Sequence, residues 1–441
     1  MVRRPPGPGP LAALTFRRDP IASFERIARE NPRIAHAHFG REHIYVLSDP
    51  AVVREIYVSN GRNLKKGRTL ERIKVLLGEG LLTSEGEHHR RQRRMIQPSF
   101  HSKQITAYTA PMVSTALEYD ARWQLGAELD LAKEMSALTL SIVGQALFGT
   151  DVRSESDEVS RSLSMLMAGF QRYMLPGADL LLAVPTPRRQ RLFAAVQRLD
   201  AVVRSLVAAR RTRPPGDDLL WRLIEVRDDG HAMSDTQVRD EVMTLLLAGH
   251  ETTATLLTWT WWLLDQHRAV ASWLWEELDA LPARALTYED IERLPRTHAI
   301  VAESMRVRPP VWLLGRRATT DLEVDGWTIP AGSLCTASQW VLHRDARFWP
   351  APLEFRPSRW LSSSGEFDES APGQSRTTYF PFGLAARTCV GESFAWAEGV
   401  LVLATLARRW DPRLVPGHPV ELQPAVTLRP RHGMRMTLHR R

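Results

Sequence analysis

The apolar positions of this chain recur mostly at helical spacing, with a few short alternating runs between them. Residues 20–30 and 50–59 read as short helices, the second opened by Asp49-Pro50. Residues 33–39 and 43–47 alternate as a hairpin would, turning around Gly40. His36 and His38 fall on one face of that hairpin, and with no third ligand nearby they read as ordinary histidines. Residues 65–84 are irregular and partly apolar, with Leu76, Leu77, Leu81 and Leu82. The run from Gly86 to Arg94 reads as a strongly basic helix. Residues 109–211 are mainly helical, with breaks at Pro176-Gly177 and at 185–187. Another helix covers 296–308 and a hairpin turns at Asp325-Gly326. Cys335 falls in the strand that follows, as inert core, and an alanine-rich amphipathic run leads from Glu392 to about residue 409.

The longest pattern starts at Ser234, whose spacing to Gln237 makes a capping box. It continues to about residue 267, a helix of about 50 Å at the standard rise, enough to cross the whole molecule. Its middle reads Ala248-Gly249-His250-Glu251-Thr252-Thr253. Gly249 weakens the helix by about 1 kcal/mol relative to alanine. The Thr252 hydroxyl can bond the carbonyl four residues back and bend the helix, leaving room for dioxygen and water. His250-Glu251 lacks the second histidine of a zinc protease, since residue 254 is Ala254. Trp259, Trp261 and Trp262 read as core packing.

Composition changes this picture little. The chain has 441 residues, a net charge of +8 and two cysteines, Cys335 and Cys389. It can bury a large core, cannot carry a disulfide framework, and is expected in a reducing cytoplasm. The positive charge reads as solvated surface, since no nucleic-acid module accompanies it. No apolar run reaches membrane-spanning length, and Met1-Val-Arg-Arg is followed by prolines and not by a signal-peptide core.

The candidate chemistry centres on Cys389. An aromatic, non-helical segment from Thr377 to Phe382 precedes its loop, and a helix follows it. A cysteine feeding a helix N-terminus meets free N–H groups and a dipole that favour a thiolate, and a thiolate there is a good axial ligand for haem iron. Arg387 can pair with a haem propionate, and Gly391 lets the backbone pass close to a flat macrocycle. Glu303 and Arg306, three apart on a helix, share a face.

Phe382, Arg387, Cys389 and Gly391 in this spacing resemble the cysteine loop of the cytochrome P450 family, with Ala385 where the family has glycine. If that turn needs positive φ, alanine costs about 1 kcal/mol. Residues 248–253 resemble the family's oxygen-activating motif, and Glu303-Ser-Met-Arg306 with Arg359 its structural arginine pair. Four motifs in the family's order cover nearly the whole chain, from Asp49 onward. The resemblance implies a mainly α fold with a smaller β-rich lobe. Residues 1–20 would be a proline-rich N-terminal lead and 21–441 one haem domain. Haem b would be ligated by Cys389 and held by Phe382, Gly391, Ala248 and Gly249, with His89, Arg93, Arg316 and Arg387 meeting its propionates. Thr252 would steady dioxygen by a hydrogen bond and Glu251 would bring protons from solvent. Glu303, Arg306 and Arg359 would hold the cysteine loop. Leu81, Leu82, Leu247, Val311, Leu313, Val426 and Thr427 would line the substrate pocket.

The implied reaction inserts one oxygen atom from O2 into a lipophilic small molecule, a terpenoid or fatty acid for preference. Electrons would come from a separate ferredoxin and ferredoxin reductase, to which Arg90, Arg91 and Arg94 offer a docking face, and the protein would be a monomer. Two alternatives stay open: a haem-thiolate peroxygenase or isomerase, and a non-catalytic haem sensor or carrier.

Overall fold

The computed structural model describes residues 3–9, 15–16, 18–39, 42–149, 159, 161–162, 165–166, 186–228 and 230–441. Gly40 and the expected break at Pro176-Gly177 lie outside the described residues. The chain opens with helix α1 (Pro20–Glu30), capped by Asp19, whose carboxylate accepts from Ala22 N. Strands β1 (Ile34–Phe39) and β2 (Glu42–Leu47) pair antiparallel. Asp49 caps α2 (Pro50–Val53), which runs on as a π-helical turn, Arg54–Ser59. After β3 (Leu64–Lys66), residues expected to be irregular form helix α3 (Arg68–Leu77). Ile73, Leu76 and Leu77 are buried, so an apolar stripe between Arg68, Glu71 and Lys74 suffices for a helix once it has a core to face.

Helices α4 (Gly86–Ile96) and α5 (Ser102–Arg122) follow, then strand β4 (Glu128–Asp130) inside the region expected to be helical, and α6 (Leu131–Phe148). Beyond come α7 (Pro187–Arg211), α8 (Leu219–Glu225) and the short β5 (Arg227–Asp228) and β6 (His231–Ala232). The central helix α9 (Asp235–Gln266) is unbroken, and Ser234 and Gln237 form both bonds of the capping box. Helices α10 (Arg268–Asp279) and α11 (Pro295–Val307) lead to strands β7 (Leu314–Ala318), β8 (Leu322–Val324), β9 (Trp327–Ile329) and β10 (Leu334–Ala337). Asp325 and Gly326 both have positive φ, the geometry an Asp-Gly hairpin turn requires. Last come α12 (Gln339–Leu342), α13 (Glu392–Ala407), β11 (Trp410–Leu414), β12 (Leu422–Pro424), β13 (Leu428–Pro430) and β14 (Arg435–Arg440).

The main sheet has the order β1-β2-β10-β7-β3, with β10 parallel to β2 and the other neighbours antiparallel. It forms the smaller lobe, closed over Tyr45, Leu47, Ile56 and Cys335. The larger lobe is helical and packs around α9. Gly249 serves that packing: a Cβ there would come within 3.1 Å of Val143 on α6. Trp259 is fully buried and also donates to Leu428 O at 2.6 Å, tying α9 to β13.

Glu398 lies wholly inside this core on α13, and neither carboxylate oxygen finds a well-formed hydrogen bond. Burial raises its pKa to about 8, with Thr253 of α9 pulling the other way. The folded protein keeps this proton where the unfolded chain has released it, so the carboxyl's contribution to stability falls as pH rises from 4.5 to about 8. Glu398→Gln lacks the dependence. Its thermal midpoint should gain on that of the native protein steadily from about pH 5 to about pH 8. A pH-independent difference between the two would refute the buried proton.

Candidate active site

Almost all of α9 from Val238 to Leu264 is buried, yet Ala248 is exposed and Gly249 and Thr252 partly so. Exposure at the centre of an otherwise enclosed helix means that this face borders a cleft. Cys389 is exposed in the loop that leads into α13, although its surroundings desolvate the thiol. The Thr252 hydroxyl donates to Ala248 O at 2.7 Å without opening the helix. His250 turns to the other side, where Nε2 lies 2.7 Å from Ser136 Oγ of α6.

The cysteine loop is held from both ends. Cys389 N donates to Phe382 O at 2.8 Å, and Arg93 Nη1 reaches Thr388 O at 2.7 Å. Ala385 has φ of 55°, the left-handed conformation for which glycine is suited. Burial pushes the Cys389 thiol up, and the Gly391 N–H and Arg93 only partly oppose this. The helix start alone thus does not make a thiolate, contrary to the simple dipole expectation. A Cβ on Gly391 would meet only ordinary contacts, 3.7 Å from Phe100 and 3.9 Å from the Cys389 sulfur. Within the protein itself nothing demands glycine at 391.

Beside this loop the fold gathers positive charge. Lys66 and Arg316 are register partners on β3 and β7. Lys66 Nζ is buried and donates to Leu81 O and Ser84 O at 2.8 and 2.6 Å. Burial first, then Arg387, lowers its pKa to about 7. His89 is buried one helical turn before Arg93 on α4. Burial, then Lys66, Arg387, Arg93 and Arg316, depress it to about 3, so it is neutral. Burial also lowers Arg316. Glu85 pairs with Arg387 and accepts from Lys66 N at 2.6 Å, and it is the carboxylate that acts on this cluster most directly. Arg387 Nη1 remains buried without a partner. A cluster this short of negative charge, with an orphaned guanidinium nitrogen, fits a group carrying carboxylates. Together with the exposed Cys389 thiol, on which Arg93 of this cluster acts, it fits haem.

Away from the cleft, Glu303 and Arg306 of α11 are completely buried and paired through two 2.8 Å bonds. Glu303 also accepts from Arg359 Nε at 3.1 Å, Trp360 Nε1 at 2.8 Å and Arg356 N at 2.9 Å. Arg306 donates onward to the carbonyls of His343, Pro352 and Glu354. His343 Nε2 accepts from Phe380 N at 3.0 Å and the Tyr379 hydroxyl reaches Ala302 O at 3.0 Å, so the network meets the segment that enters the cysteine loop.

Of the residues expected around the substrate, Leu81, Leu82, Val311, Leu313 and Val426 are half-buried, whereas Leu247 is 6 % exposed. Thr427 departs from that expectation. It is buried, and its hydroxyl is committed to the Glu251 carboxylate, which also pairs with Arg429. Arg90 pairs with Glu87, and Arg91 and Arg94 pair with Asp228, so these arginines are not an uncompensated basic face. Lys66, Glu85 and Arg429 at the site, and Trp360 and Glu398 in the scaffold, were missed from sequence, because each acts through a contact distant along the chain.

A sequence model described as Cytochrome P450 matches residues 4–435. The chain belongs to the cytochrome P450 family. Among its relatives, cyclooctatin synthase of Streptomyces melanosporofaciens is 34% identical over 96% of this chain and 92% of that protein. Cyclooctat-9-en-7-ol 5-monooxygenase of the same organism is 34% identical over 87% and 83%. Pentalenene oxygenase of Streptomyces avermitilis is 30% identical over 89% and 87%. Two solved structures share the fold at 24% identity: a cyanobacterial P450 with retinoic acid bound (TM-score 0.88, all of both chains) and the haem domain of cytochrome P450DA (TM-score 0.86, 100% of this chain and 98% of that one). The protein is a haem-thiolate P450 monooxygenase that uses O2 and a redox partner on a small molecule. Among the described residues, no helix of this P450 is long and apolar enough to cross a membrane.

The left-handed alanine gives a stability test. Ala385→Gly removes the φ penalty but adds freedom to the unfolded chain, for a net gain of about 0.5–1 kcal/mol. Denaturant unfolding of the haem-loaded P450 should show a higher midpoint at unchanged slope. An equal or lower midpoint would mean that the turn is not strained.

Proposed function

We propose that this P450 hydroxylates or epoxidises a terpenoid, using haem b that Cys389 would hold as a thiolate. The observation that carries the reading is the exposure of Ala248 and, in part, Thr252 at the otherwise buried centre of α9, together with an exposed Cys389 in the loop that leads into α13. When bound, the haem activates dioxygen and supplies the oxygen atom that enters the substrate. His89, Arg93, Arg316, Arg387 and Lys66 hold its carboxylates, His89 as a neutral N–H donor and the others as cations. Leu81, Leu82, Val311, Leu313 and Val426 present an apolar surface that orients a hydrocarbon skeleton and excludes water. Relatives whose names specify terpenoid oxidations support a terpenoid over a fatty acid. Relatives named as monooxygenases favour that chemistry over peroxygenase, isomerase or carrier roles.

Protons reach the cleft through the chain's own side chains. Thr252 holds its proton in a bond to Ala248 O, and releases that bond to donate into the cleft. Glu251 is buried and clamped by Arg429 and Thr427; Arg429, 30% exposed, is its link to solvent. The carboxylate leaves Arg429 to carry a proton inward and returns to it afterwards.

Ferredoxin and its reductase supply the electrons in this reading. The net charge of +8 supports an acidic donor, and a groove of about 410 Å³ beside the cysteine loop, bordered by Phe382 and by Arg54 and Arg376 together with Glu369 and Glu392, offers a surface of balanced charge. Two unlinked thiols, Cys335 and Cys389, agree with a cytoplasmic setting.

Thr252→Ala should retain haem yet divert reducing equivalents into hydrogen peroxide, lowering product formed per electron by about tenfold. Unchanged coupling would remove Thr252 from the proton path. The substrate class is read by titrating the ferric enzyme with terpenes and with fatty acids. A low-to-high-spin shift with cyclic terpenes at micromolar concentration is expected, and a shift with fatty acids alone would transfer the assignment to them.

A further inference from the structure

The hairpin at the edge of the main sheet carries three histidines on one face. His38 of β1 lies directly opposite His43 of β2, and His36 lies two residues before His38, diagonal to His43. His36 Nε2 and His43 Nδ1 approach to 2.9 Å and share one hydrogen. Their ring centroids are 5.1 Å apart, and the His36 and His38 centroids 6.4 Å.

A tetrahedral cation asks for nearly this spacing but a different aim. Two imidazole nitrogens each about 2.05 Å from zinc lie about 3.3 Å apart, with ring centroids about 5.2 Å apart. With 2.9 Å between the nitrogens and 5.1 Å between the centroids, the His36 and His43 nitrogens point at each other, so each ring must turn by about 35° as the pair opens by a few tenths of an ångström. No three metal-ligating side chains converge on one point as the described residues stand. His38 is exposed, however, and can swing toward the pair by side-chain rotation. We infer that His36, His38 and His43 form a site for a borderline divalent transition metal such as Zn²⁺, with water in the fourth position.

The chemistry of binding balances simply. The ring that donates the shared hydrogen moves it to its other nitrogen, both facing lone pairs turn to the metal, and no proton is released. Burial and the neighbouring positive charges hold His36 down at about 4 and lower His43, so both rings are neutral near pH 7 and no proton competes. Arg4 of the N-terminal segment faces both rings and the Tyr45 ring beside them. Its charge opposes a cation, and being exposed it can swing into water. Glu42 favours the cation but is engaged by Arg317 and Arg68. A bound ion would pin β1, the edge strand on which Pro6 O accepts from His36 N.

The test titrates Zn²⁺ alone into the haem-loaded full chain after chelator treatment, with metal content counted and the haem spectrum monitored. One zinc per chain is expected, with a dissociation constant of about 1 µM. Affinity should fall about tenfold or more in His43→Ala and also in His38→Ala, whose exposed side chain has no packing to lose. Arg4→Gln should bind more tightly than the native chain. Absence of uptake below about 1 mM, or native affinity in either histidine variant, would overturn the site.

Discussion

A buried carboxylate, Glu303, is the constraint on which the cysteine side of this P450 depends. Taking Glu303 and Arg306 out of water costs several kcal/mol per ion, and only complete hydrogen bonding offsets that. Here Glu303 accepts from Arg306, Arg359, Trp360 and the Arg356 backbone, while Arg306 also binds three carbonyls. The pair therefore dictates where residues 343–360 run. Through His343 and Tyr379 it sets the approach to the cysteine loop. Loss of one partner would leave a buried charge exposed to nothing, at a cost of about 3–5 kcal/mol.

The cleft side shows the opposite economy. Lys66, Arg93, Arg316 and Arg387 crowd together, with burial opposing the charge of the first three, and Arg387 Nη1 has no partner. Such a cluster destabilises the protein by itself and is relieved by a ligand bearing carboxylates. Ala385 adds backbone strain and Glu398 an unpaired acid close to the central helix. These costs sit near the site, while the capped ends of α1 and α9 and the buried Glu303 network lie in the scaffold around it.

How much of this was legible in the sequence depended on how local each feature is. The Ser234–Gln237 box, the Asp325-Gly326 turn and the i, i+3 pair Glu303–Arg306 were readable, because each needs only neighbouring residues. Cys389 was readable from its loop and the helix behind it. Helix α3 was not, since its apolar stripe is thin and flanked by charges. Lys66 joins the cationic cluster only because β3 pairs with β7, and Arg429 reaches Glu251 from the far end of the chain. Thr427 looked like a pocket residue from its place in a turn; its hydroxyl bond to Glu251 is a long-range fact. His36 and His38 seemed to lack a third ligand until the hairpin register set His43 opposite His38.

Cys389 is proposed to ligate haem as a thiolate, although burial alone favours the thiol. The most direct measurement is the absorption spectrum of the reduced carbon monoxide complex, compared between the native enzyme and Cys389→His. The native enzyme should show the red-shifted Soret band of thiolate ligation, and the variant should lose it. A native spectrum with the shorter-wavelength band of a nitrogen-ligated or thiol-ligated haem, in protein with full haem content, would contradict it.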